Sequence, residues 1–498
     1  MPKISLPLGV ALVAGVLTAC SDGSTPVAPM DPAPNPTAPP TGSAPAVGEV
    51  RLSTPSSGSG TVPLAFETGS EEYLLVIEST AGRDVAFDLA LDAAVPATST
   101  RTDLSASASP NDVEAAVLER GYELLQRHGP AAPSSRALAP AADRTFWVLD
   151  QQASAWAERP ARLVHDGDHS LVYVDADVSV EDFPDAEARE LGEAFDRSVY
   201  DRIREVYGAE SDLDGNGRAI VLLTPIVNAQ ASAKGRVYGF FMPADLSDFR
   251  YSNRGEVFYL LVPDPTGRYG PATPSADRMR ESLLGVAAHE FVHMISANQR
   301  LVKRRLPAQD YWLEEGLAHF GELVVDRLSA GNILGFLSEG SMDVSLVGSE
   351  VLTRGASTLF VTRLAERFGR GVIGDLVIGP GVGPATVESA TGSPYPESFH
   401  DWALALHNEI YPVAEIPETF ESLDLAGLYG RHVGSPWATN ALGRLEAGPG
   451  GSSEETLRMR GGSVAYVVVR SDRGPTATDF RYRVPSSADL QIAVVRIR

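Results

Sequence analysis

The sequence predicts an α+β protein in which a mixed central region is flanked by two all-β, sandwich-like regions. Near the amino end, short apolar runs such as residues 62–66 and 73–77 are separated by Gly, Ser and Glu turns, as in a small β-sandwich. Residues 143–412 contain apolar strand-like runs that alternate with segments of helical periodicity. Beyond them, the apolar runs 463–469 and 490–495 predict a further all-β module.

Composition places the boundaries between these regions. A chain of 498 residues suggests about three domains. Residues 20–48 are rich in Pro, Ala, Ser and Thr and almost lack large apolar side chains, so they predict a semi-extended tether. Residues 49–142 predict the amino-terminal β-sandwich, a helix at about 111–127 and a second Pro/Ala/Ser linker. Residues 143–412 form the predicted central domain, and residues 413–498 the carboxy-terminal module.

The amino end predicts export. Residues 1–19 begin with a positive charge at Lys3 and continue as an apolar stretch that is too short for a permanent bilayer span, as in a signal peptide. The run Leu17-Thr18-Ala19-Cys20 looks like a bacterial lipobox, which implies cleavage before Cys20 and its acylation. We therefore expect a protein that is lipid-anchored to the bacterial cell envelope. An ordinary secretory signal with a chance cysteine is the alternative, and the protein would then be secreted.

Charge and cysteine content exclude some classes of partner and bond. The formal net charge is −24, which repels nucleic acid and anionic lipid, so we expect neither as a partner. Cys20 is the single cysteine of the chain, and no disulfide is expected. An exported chain without disulfides depends on its hydrophobic cores, and 43% hydrophobic residues are sufficient for more than one core.

The most specific motif lies at residues 289–293, which read His-Glu-Phe-Val-His. On a helix, His289 and His293 lie one above the other, so their imidazole nitrogens can reach one metal ion. The motif predicts one catalytic zinc with three protein ligands and a water, and Glu290 as the general base that passes the water proton to the leaving amine. A chance match on a surface helix is the alternative. An apolar stripe that turns polar argues against chance, and it comprises Met279, Leu283, Val286, Glu290, His293 and Ala297.

A third zinc ligand is expected in residues 312–319, which follow after a short loop. This segment reads Trp-Leu-Glu-Glu-Gly-Leu-Ala-His. The order His-Glu-x-x-His, loop, Glu-Gly-x-Ala resembles the gluzincin clan of metallopeptidases, in which the glutamate before the glycine is the third ligand. The resemblance implies Glu315 as the ligand, with Glu314 as the alternative. Metzincin spacing is excluded because it requires a histidine at position 299, which is Gln.

A carboxylate that orients a ligand histidine is also expected. Glu322 lies seven residues beyond Glu315 on the same helical face and could take this role. In thermolysin-like members of the clan, the carboxylate stands four residues after the ligand, where this sequence has His319. This departure favours Glu322 and keeps His319 as a second candidate near the metal.

The stretch from about residue 144 to residue 411 resembles the hyicolysin-type bacterial metallopeptidases. The resemblance implies a zincin-like (thermolysin-like) metallopeptidase domain that takes polypeptides as substrates. It covers slightly over half of the chain, and its zinc motifs are more specific than the others. The motifs that carry it are Asp-x-Asp-Gly-Asn-Gly at 212–217, Tyr-Gly-Phe-Phe at 238–241, and the segments 288–295, 312–318 and 399–403.

At the position where hyicolysin-type enzymes have their expected oxyanion donor, this sequence departs from the family pattern. Such enzymes usually have a Tyr-Gly pair at the start of the helix after the zinc segment, where this chain has Arg354 followed by glycine. A hydrogen-bond donor to the developing oxyanion is a normal part of this chemistry. Arg354, Tyr251, Tyr395 or His407 could supply it, and each of them has a structural role as its alternative.

Residues 212–217 resemble the first half of a calcium-binding loop. Asp212, Asp214 and Asn216 would supply oxygen ligands, and glycine would make the sharp turn. The bidentate glutamate expected at loop position 12 is missing, because Leu223 stands there. Two interpretations stay open, a Ca²⁺ site and a plain Asx/Gly turn.

Residues 256–262 predict a strand just upstream of the zinc helix. In gluzincins the edge strand of the sheet pairs with extended substrate backbone, and this strand is a candidate for that role. A central position in the sheet is the alternative.

The sequence therefore predicts a zinc-dependent peptidase that hydrolyses polypeptides outside the cytoplasm. Endopeptidase activity is favoured over aminopeptidase activity because no Gly-x-Met-Glu-Asn motif, which anchors a substrate amino group, occurs upstream of His289. The competing class is a non-catalytic surface lipoprotein or adhesin that retains a structural zinc site. Glu290 argues against that class, because a decayed site is expected to lose its general base first.

Overall fold

The protein is represented by a computed structural model whose described residues all belong to one compact unit, Gly42–Arg498. The expected signal peptide, Cys20 and most of the expected tether lie outside the described residues. In the part of the chain that is described, no helix is both long and apolar enough to cross a membrane. The structure describes residues 45–53, 59–91, 93–94, 110–135, 140–151, 153–230, 236–433, 441–449, 455–471, 476–485 and 488–498.

Strands occur at both ends and in the first half of the central region. They are β1 (Val50–Ser53), β2 (Ser59–Phe66), β3 (Glu72–Ser79), β4 (Ala86–Leu91), β5 (Ala93–Ala94), β6 (Asp143–Asp150), β7 (Ala155–Asp166), β8 (Ser170–Asp175), β9 (Ala219–Leu223), β10 (Gly239–Phe241), β11 (Val257–Leu260), β12 (Leu445–Pro449), β13 (Glu455–Arg460), β14 (Val464–Arg470), β15 (Thr476–Arg483) and β16 (Leu490–Arg496).

Helices dominate the second half of the central region. They are α1 (Pro110–His128), α2 (Asp185–Ser198), α3 (Tyr200–Tyr207), α4 (Pro225–Ala229), α5 (Ala276–Ala297), α6 (Tyr311–Val324), α7 (Gly331–Glu339), α8 (Val351–Phe368), α9 (Gly371–Ile378), α10 (Pro384–Thr391), α11 (Tyr395–Ile410) and α12 (Leu425–Val433). A π-helical turn, Asn298–Lys303, follows α5 directly.

A central sheet supports the helices. Its strand order is β10-β11-β9-β8-β7-β6, and β8, β9 and β11 run parallel. All residues of β9 and β11 are buried, which is typical of parallel strands that are covered on both faces. The strand predicted at residues 256–262 is therefore internal, and the interpretation that it forms the edge is wrong. The edge strand is β10, which pairs antiparallel with β11.

Two glycines allow close approaches that hold α5 and α6 in position. A Cβ atom at Gly239 of β10 would lie 2.8 Å from Val286 Cγ1 of α5. A Cβ atom at Gly316 of α6 would lie 2.8 Å from the Ser357 carbonyl oxygen of α8. Both distances are shorter than a van der Waals contact, so a larger residue would displace the helix. The two helices that carry the metal motifs are thus tightly packed against their neighbours.

The two ends of the chain build one pair of sheets together. One sheet has the order β1-β16-β3-β14-β12-β5, and the other has the order β13-β4-β15-β2. Each sheet therefore contains strands from the amino-terminal and from the carboxy-terminal segment. This differs from the two separate flanking modules that the sequence predicts. The physical reason is that β3 takes its hydrogen-bonding neighbours, β14 and β16, from the other end of the chain.

Strand β3 is apolar on both faces because each face packs against a different layer. Leu75 and Ile77 belong to the core between the two sheets, whereas Leu74 and Val76 belong to the core shared with the helices. Successive side chains of a strand point to opposite faces, so one continuous apolar run serves both cores. The two sheets are therefore connected to the helical region through a shared apolar core.

A buried ion pair adds a polar contact between β3 and α11. Glu78 Oε1 lies 2.6 Å from His400 Nδ1, and Gln491 Nε2 donates to Glu78 Oε2 at 3.0 Å. Burial raises the pKa of Glu78. Burial lowers the pKa of His400, but the neighbouring Glu78 carboxylate reverses this effect and the pKa is raised. Each of the two charges, on Glu78 and on His400, is therefore stabilised by the presence of the other.

We expect His400→Gln to lower the free energy of unfolding by about 3 kcal/mol, because Glu78 then stays buried without a charged partner. The double variant Glu78→Gln/His400→Gln is the control, and it should recover much of the loss because two amides require no charge compensation. Equilibrium urea unfolding of the full chain measures both values. A single variant as stable as the wild type would contradict this account.

Candidate metal centre

Three potential metal ligands converge between α5 and α6. His289 Nε2 lies 3.1 Å from His293 Nε2 and 3.5 Å from Glu315 Oε2. His293 Nε2 lies 3.7 Å from Glu315 Oε1. A tetrahedral zinc ion with bonds of about 2.0–2.1 Å keeps its ligand atoms about 3.3–3.4 Å apart. The three side chains are thus spaced to share one ion, and all three are buried.

Carboxylates behind the two histidines set the direction of their rings. His289 Nδ1 lies 3.1 Å from Glu322 Oε1, and His293 Nδ1 lies 3.2 Å from Glu314 Oε1. A carboxylate at Nδ1 favours a proton on that nitrogen, so Nε2 presents a lone pair. Two lone pairs and the Glu315 carboxylate then face one another. This arrangement is repulsive unless a positive charge lies between them.

Electrostatics at His289 also favour a positive charge. Burial alone lowers the pKa of His289, yet the Glu315 and Glu322 carboxylates raise it well above its usual value. A proton or a metal ion can supply that charge. Two imidazoles and one carboxylate are the donors of a zinc site that keeps one position for water, so the residues present fit zinc.

Glu314 and Glu315 are neighbours in sequence but have different surroundings. Glu315 faces the two Nε2 atoms, whereas Glu314 lies behind His293. Glu314 also accepts hydrogen bonds from Ser296 Oγ at 2.9 Å and from the Tyr122 hydroxyl at 2.8 Å. Successive residues of a helix point about 100° apart, which separates the two carboxylates. The structure thus brings Glu315, and not the alternative Glu314, to the shared point.

His319 forms part of the same cluster. Potential ligand atoms of His289, Glu315 and His319 lie within 4.8 Å of one another. His319 Nδ1 is 2.7 Å from Glu322 Oε1, and His319 Nε2 is 3.4 Å from Asn332 Nδ2. We favour His293 over His319 as the second imidazole ligand, because His293 Nε2 lies closer to His289 Nε2 and is not engaged by an amide.

Glu290 lies beside the converging ligands with 4% of its surface exposed. It lines a narrow cavity together with His289, His293 and Glu315. Burial is the main cause that raises the pKa of Glu290 to about 7. A carboxylate with such a pKa can exchange protons near neutral pH, which suits a general base.

Arg354 contacts Glu315, the candidate third ligand. Its Nε atom lies 3.2 Å from Glu315 Oε2, its Nη1 atom lies 2.7 Å from Glu114 Oε2, and its Nη2 atom donates to the Tyr311 hydroxyl at 2.6 Å. Burial alone would raise the pKa of Glu315, but Arg354 and the two histidines hold it well below its usual value. Glu315 is therefore kept as a carboxylate that can bind a cation.

Of the four candidate oxyanion donors, the structure brings Arg354 to the cleft beside His289 and Glu290. The other three lie in aromatic clusters. Tyr251 stacks against Trp156, Tyr395 packs against Trp312 and Phe360, and His407 packs against Tyr411 and Tyr466. Burial lowers the pKa of His407 to about 3, so this ring is neutral at physiological pH.

Helix α1 contributes to the site, which sequence reasoning missed. Glu114 and Leu118 line the cavity at the metal ligands opposite Phe240 and Phe241 of β10. Tyr122, one turn further along, contacts Glu314. From the sequence, this helix was predicted to belong to the amino-terminal domain. Its apolar face does not indicate which part of the protein it packs against. The predicted calcium residues Asp212, Asp214 and Asn216 belong to a separate loop before β9.

The fold and these residues define the class as an α+β protein with a candidate metal centre of two histidines and one glutamate. No family model matches the chain. Over 180 residues the chain is 29% identical to the neutral metalloprotease ShpI of Staphylococcus hyicus. The match covers 36% of this chain and 39% of ShpI, so the chain spans less than half of the length of that relative. The similarity supports a relationship to metallopeptidases.

We expect Glu315→Gln to abolish tight zinc binding, and Glu314→Gln to weaken the affinity for zinc by about 10–100-fold, because Glu314 acts through His293. Competition against a chromogenic chelator measures both affinities, and circular dichroism checks the fold. The exposed Glu123→Gln on α1 is the control and should bind zinc like the wild type. If Glu314→Gln lost zinc and Glu315→Gln retained it, the assignment of the ligand would be reversed.

Proposed function

We propose that the chain is a zinc-dependent endopeptidase. One observation carries the proposal: His289, His293 and Glu315 face one point, and the Glu290 carboxylate lies beside them in the same cavity. The similarity to a metalloprotease supports the same class. A structural zinc site normally has four protein ligands, whereas this set leaves a position for water.

Bound zinc would supply a Lewis acid that polarises the scissile carbonyl and makes water more acidic. Glu290 accepts the proton of that water at a carboxylate oxygen and delivers it to the nitrogen of the leaving amine. Glu322 and Glu314 keep His289 and His293 in the tautomer that directs Nε2 to the centre. The carboxylates therefore have two separate roles. Glu322 and Glu314 orient the ligand histidines, whereas Glu290 transfers protons.

Arg354 has two tasks in this proposal. It keeps Glu315 ionised, and its guanidinium lies in the cleft where charge develops on the substrate carbonyl oxygen. All three of its nitrogens are engaged by Glu114, Glu315 or Tyr311. Arg354 would therefore have to exchange the contact with Glu114 for a contact with substrate before it could stabilise an oxyanion.

The substrate backbone would lie along β10. Among the described strands, β10 pairs only with β11, so its other edge has no strand partner. The residues of β10 are buried and α1 packs against this strand, so an extended peptide would pair there after α1 moves aside. A cavity of about 550 Å³ opens beside the metal residues and can receive substrate side chains. Its lining includes Tyr238, Val286, His289, Glu290 and Arg354.

An aminopeptidase of the same clan is the second candidate. Glu114 is a carboxylate in the cavity at the metal ligands, where it could pair with a substrate amino group. It is already paired with Arg354 at 2.7 Å, which favours the endopeptidase. A peptide with an acetylated amino end distinguishes the two activities, because only an endopeptidase accepts it.

We expect Glu290→Gln to keep zinc but to lower kcat for an internally quenched, acetylated peptide by about 10²–10⁴-fold, because the proton acceptor is lost. Zinc content and hydrolysis are measured on the same samples. The matched control is Glu193→Gln, which changes an exposed carboxylate of α2 that lines neither of the two cavities at the metal residues. Equal activity of Glu290→Gln and wild type would overturn the mechanism, and zinc without hydrolysis in the wild type would favour the binding-protein class.

We also propose that the protein is exported and anchored through acylated Cys20. The lipobox-like run that ends at Cys20 supports this location. We expect Cys20→Ser to move the protein from the membrane fraction to the soluble fraction of expressing bacteria, because the acyl attachment site is removed. Fractionation and mass spectrometry of the amino-terminal peptide measure the change. A wild-type protein with an unmodified cysteine in the medium would contradict the anchor.

A further inference from the structure

A second cluster of carboxylates lies at the amino ends of two neighbouring parallel strands. Asp212 and Asp214 belong to the loop between α3 and β9, and Glu256 immediately precedes β11. Ile220 of β9 is in register with Val257 of β11, which brings the loop next to Glu256. Potential ligand oxygens of the three carboxylates lie within 4.8 Å of one another.

Among the three carboxylates, Glu256 gives the strongest indication that the cluster binds a ligand. It is 1% exposed, and its Oε1 atom accepts a hydrogen bond from the Leu213 amide at 3.0 Å. Its Oε2 atom is buried and has no hydrogen-bond partner in the described part of the chain. A buried carboxylate oxygen without a partner is costly, because it has lost its hydration. A proton or a cation would remove this cost.

No arginine or lysine of the described residues forms an ion pair with Asp212, Asp214 or Glu256. Arg144 is a nearby cation, but its Nη2 atom donates to the Asn253 carbonyl oxygen at 2.9 Å. The pKa of Glu256 is raised to about 7, chiefly by burial; Asp214 and Asp212 act in the same direction, whereas the nearby Ser211 hydroxyl and the Leu213 amide lower it. The cluster therefore concentrates negative charge that the described side chains do not neutralise.

The loop holds one oxygen of Asp212 and both oxygens of Asp214, because Asp214 Oδ2 accepts a hydrogen bond from the Asn216 side-chain amide at 2.6 Å. A carboxylate oxygen has more than one lone pair, so Asp214 can still contribute to a cation site. The Gly217 amide donates to Asp212 Oδ1 at 2.9 Å, and the Asn216 amide donates to Asp214 Oδ1 at 3.2 Å. The Asn216 side chain stabilises the turn, because its Oδ1 atom accepts a hydrogen bond from the Arg218 backbone amide at 2.7 Å. In a cation site, Glu256 would take the place of the glutamate that a calcium loop has at position 12.

We propose that Asp212, Asp214 and Glu256 bind one calcium ion. All donors are carboxylate oxygens, which suit a hard cation, and no histidine or cysteine belongs to this group. Asp212 is exposed, so water can complete the six to eight ligands that Ca²⁺ takes. The ion would tie the loop before β9 to the start of β11, and so would stabilise the sheet on which α5 rests. This role does not depend on the proposed peptidase activity.

The test uses the full chain, treated with chelator, reloaded with one equivalent of zinc and freed of excess ions. We expect saturating Ca²⁺ to raise Tm by about 3 °C or more, while equal Mg²⁺ has a much smaller effect. Isothermal titration should show one Ca²⁺ site. Zinc content and hydrolysis are recorded on the same samples, so failure of the peptidase proposal is seen separately.

Two variants locate the site. Glu256→Gln should fold, because it removes a buried charge, and should lose the response of Tm to Ca²⁺. Asp212→Asn changes an exposed residue and should weaken Ca²⁺ binding by about 10-fold or more. This variant tests the site even if Glu256→Gln does not fold. The control Asp248→Asn, an exposed aspartate elsewhere, should respond like the wild type. Absence of a Ca²⁺ effect on the wild type, or an unchanged effect in both variants, would overturn the proposal.

Discussion

The candidate metal centre depends on one electrostatic constraint, which is the convergence of three electron-pair donors in a buried space. His289, His293 and Glu315 face one another at 3.1–3.7 Å, where a shared positive charge is required. Glu322 and Glu314 make this convergence possible, because they hold the outer nitrogens of the two rings. Each imidazole thus has an anionic support, whereas Glu315 is contacted by the Arg354 guanidinium. The three carboxylates exceed the single charge of Arg354, and this excess of negative charge favours a divalent cation over a single proton.

Packing brings these donors together. The two ligand helices cannot move apart freely, because glycines at 239 and 316 bring α5 and α6 into close contact with β10 and α8. Helix α1 covers the opposite side, where Tyr122 contributes to the hydrogen bonds of Glu314 and Glu114 pairs with Arg354. Substitutions distant from the metal, such as a larger residue at position 316, should therefore alter its geometry.

Local sequence signals predicted the parts of the site that lie on one or two helices. The spacing of His289 and His293 places two imidazoles on one face, and Glu315 follows at the start of the next helix. Glu314 was considered only as an alternative ligand, because the direction of adjacent helical residues depends on how α5 and α6 cross. The contribution of Glu114 could not be predicted, since it comes from a helix far away in sequence with no motif of its own.

For the fold, too, the local elements could be predicted from the sequence, whereas the pairing of distant segments could not. Periodicity indicated several elements near their observed positions, including α1, α5 and β11. It did not indicate that strands from both ends share two sheets, because pairing between distant segments leaves no periodic signal. Strand β10 is only three residues long, too short for a pattern, although it forms the edge that a substrate would use.

X-ray absorption spectroscopy at the zinc edge on the zinc-loaded full chain tests the proposed ligand set most directly. We expect one zinc per chain with two imidazole nitrogens and oxygen ligands at about 2.0–2.1 Å. Those ligands would correspond to His289, His293, Glu315 and water. A chain that binds no zinc would contradict this assignment, and so would a spectrum that requires three imidazole nitrogens, as expected if His319 were also a ligand.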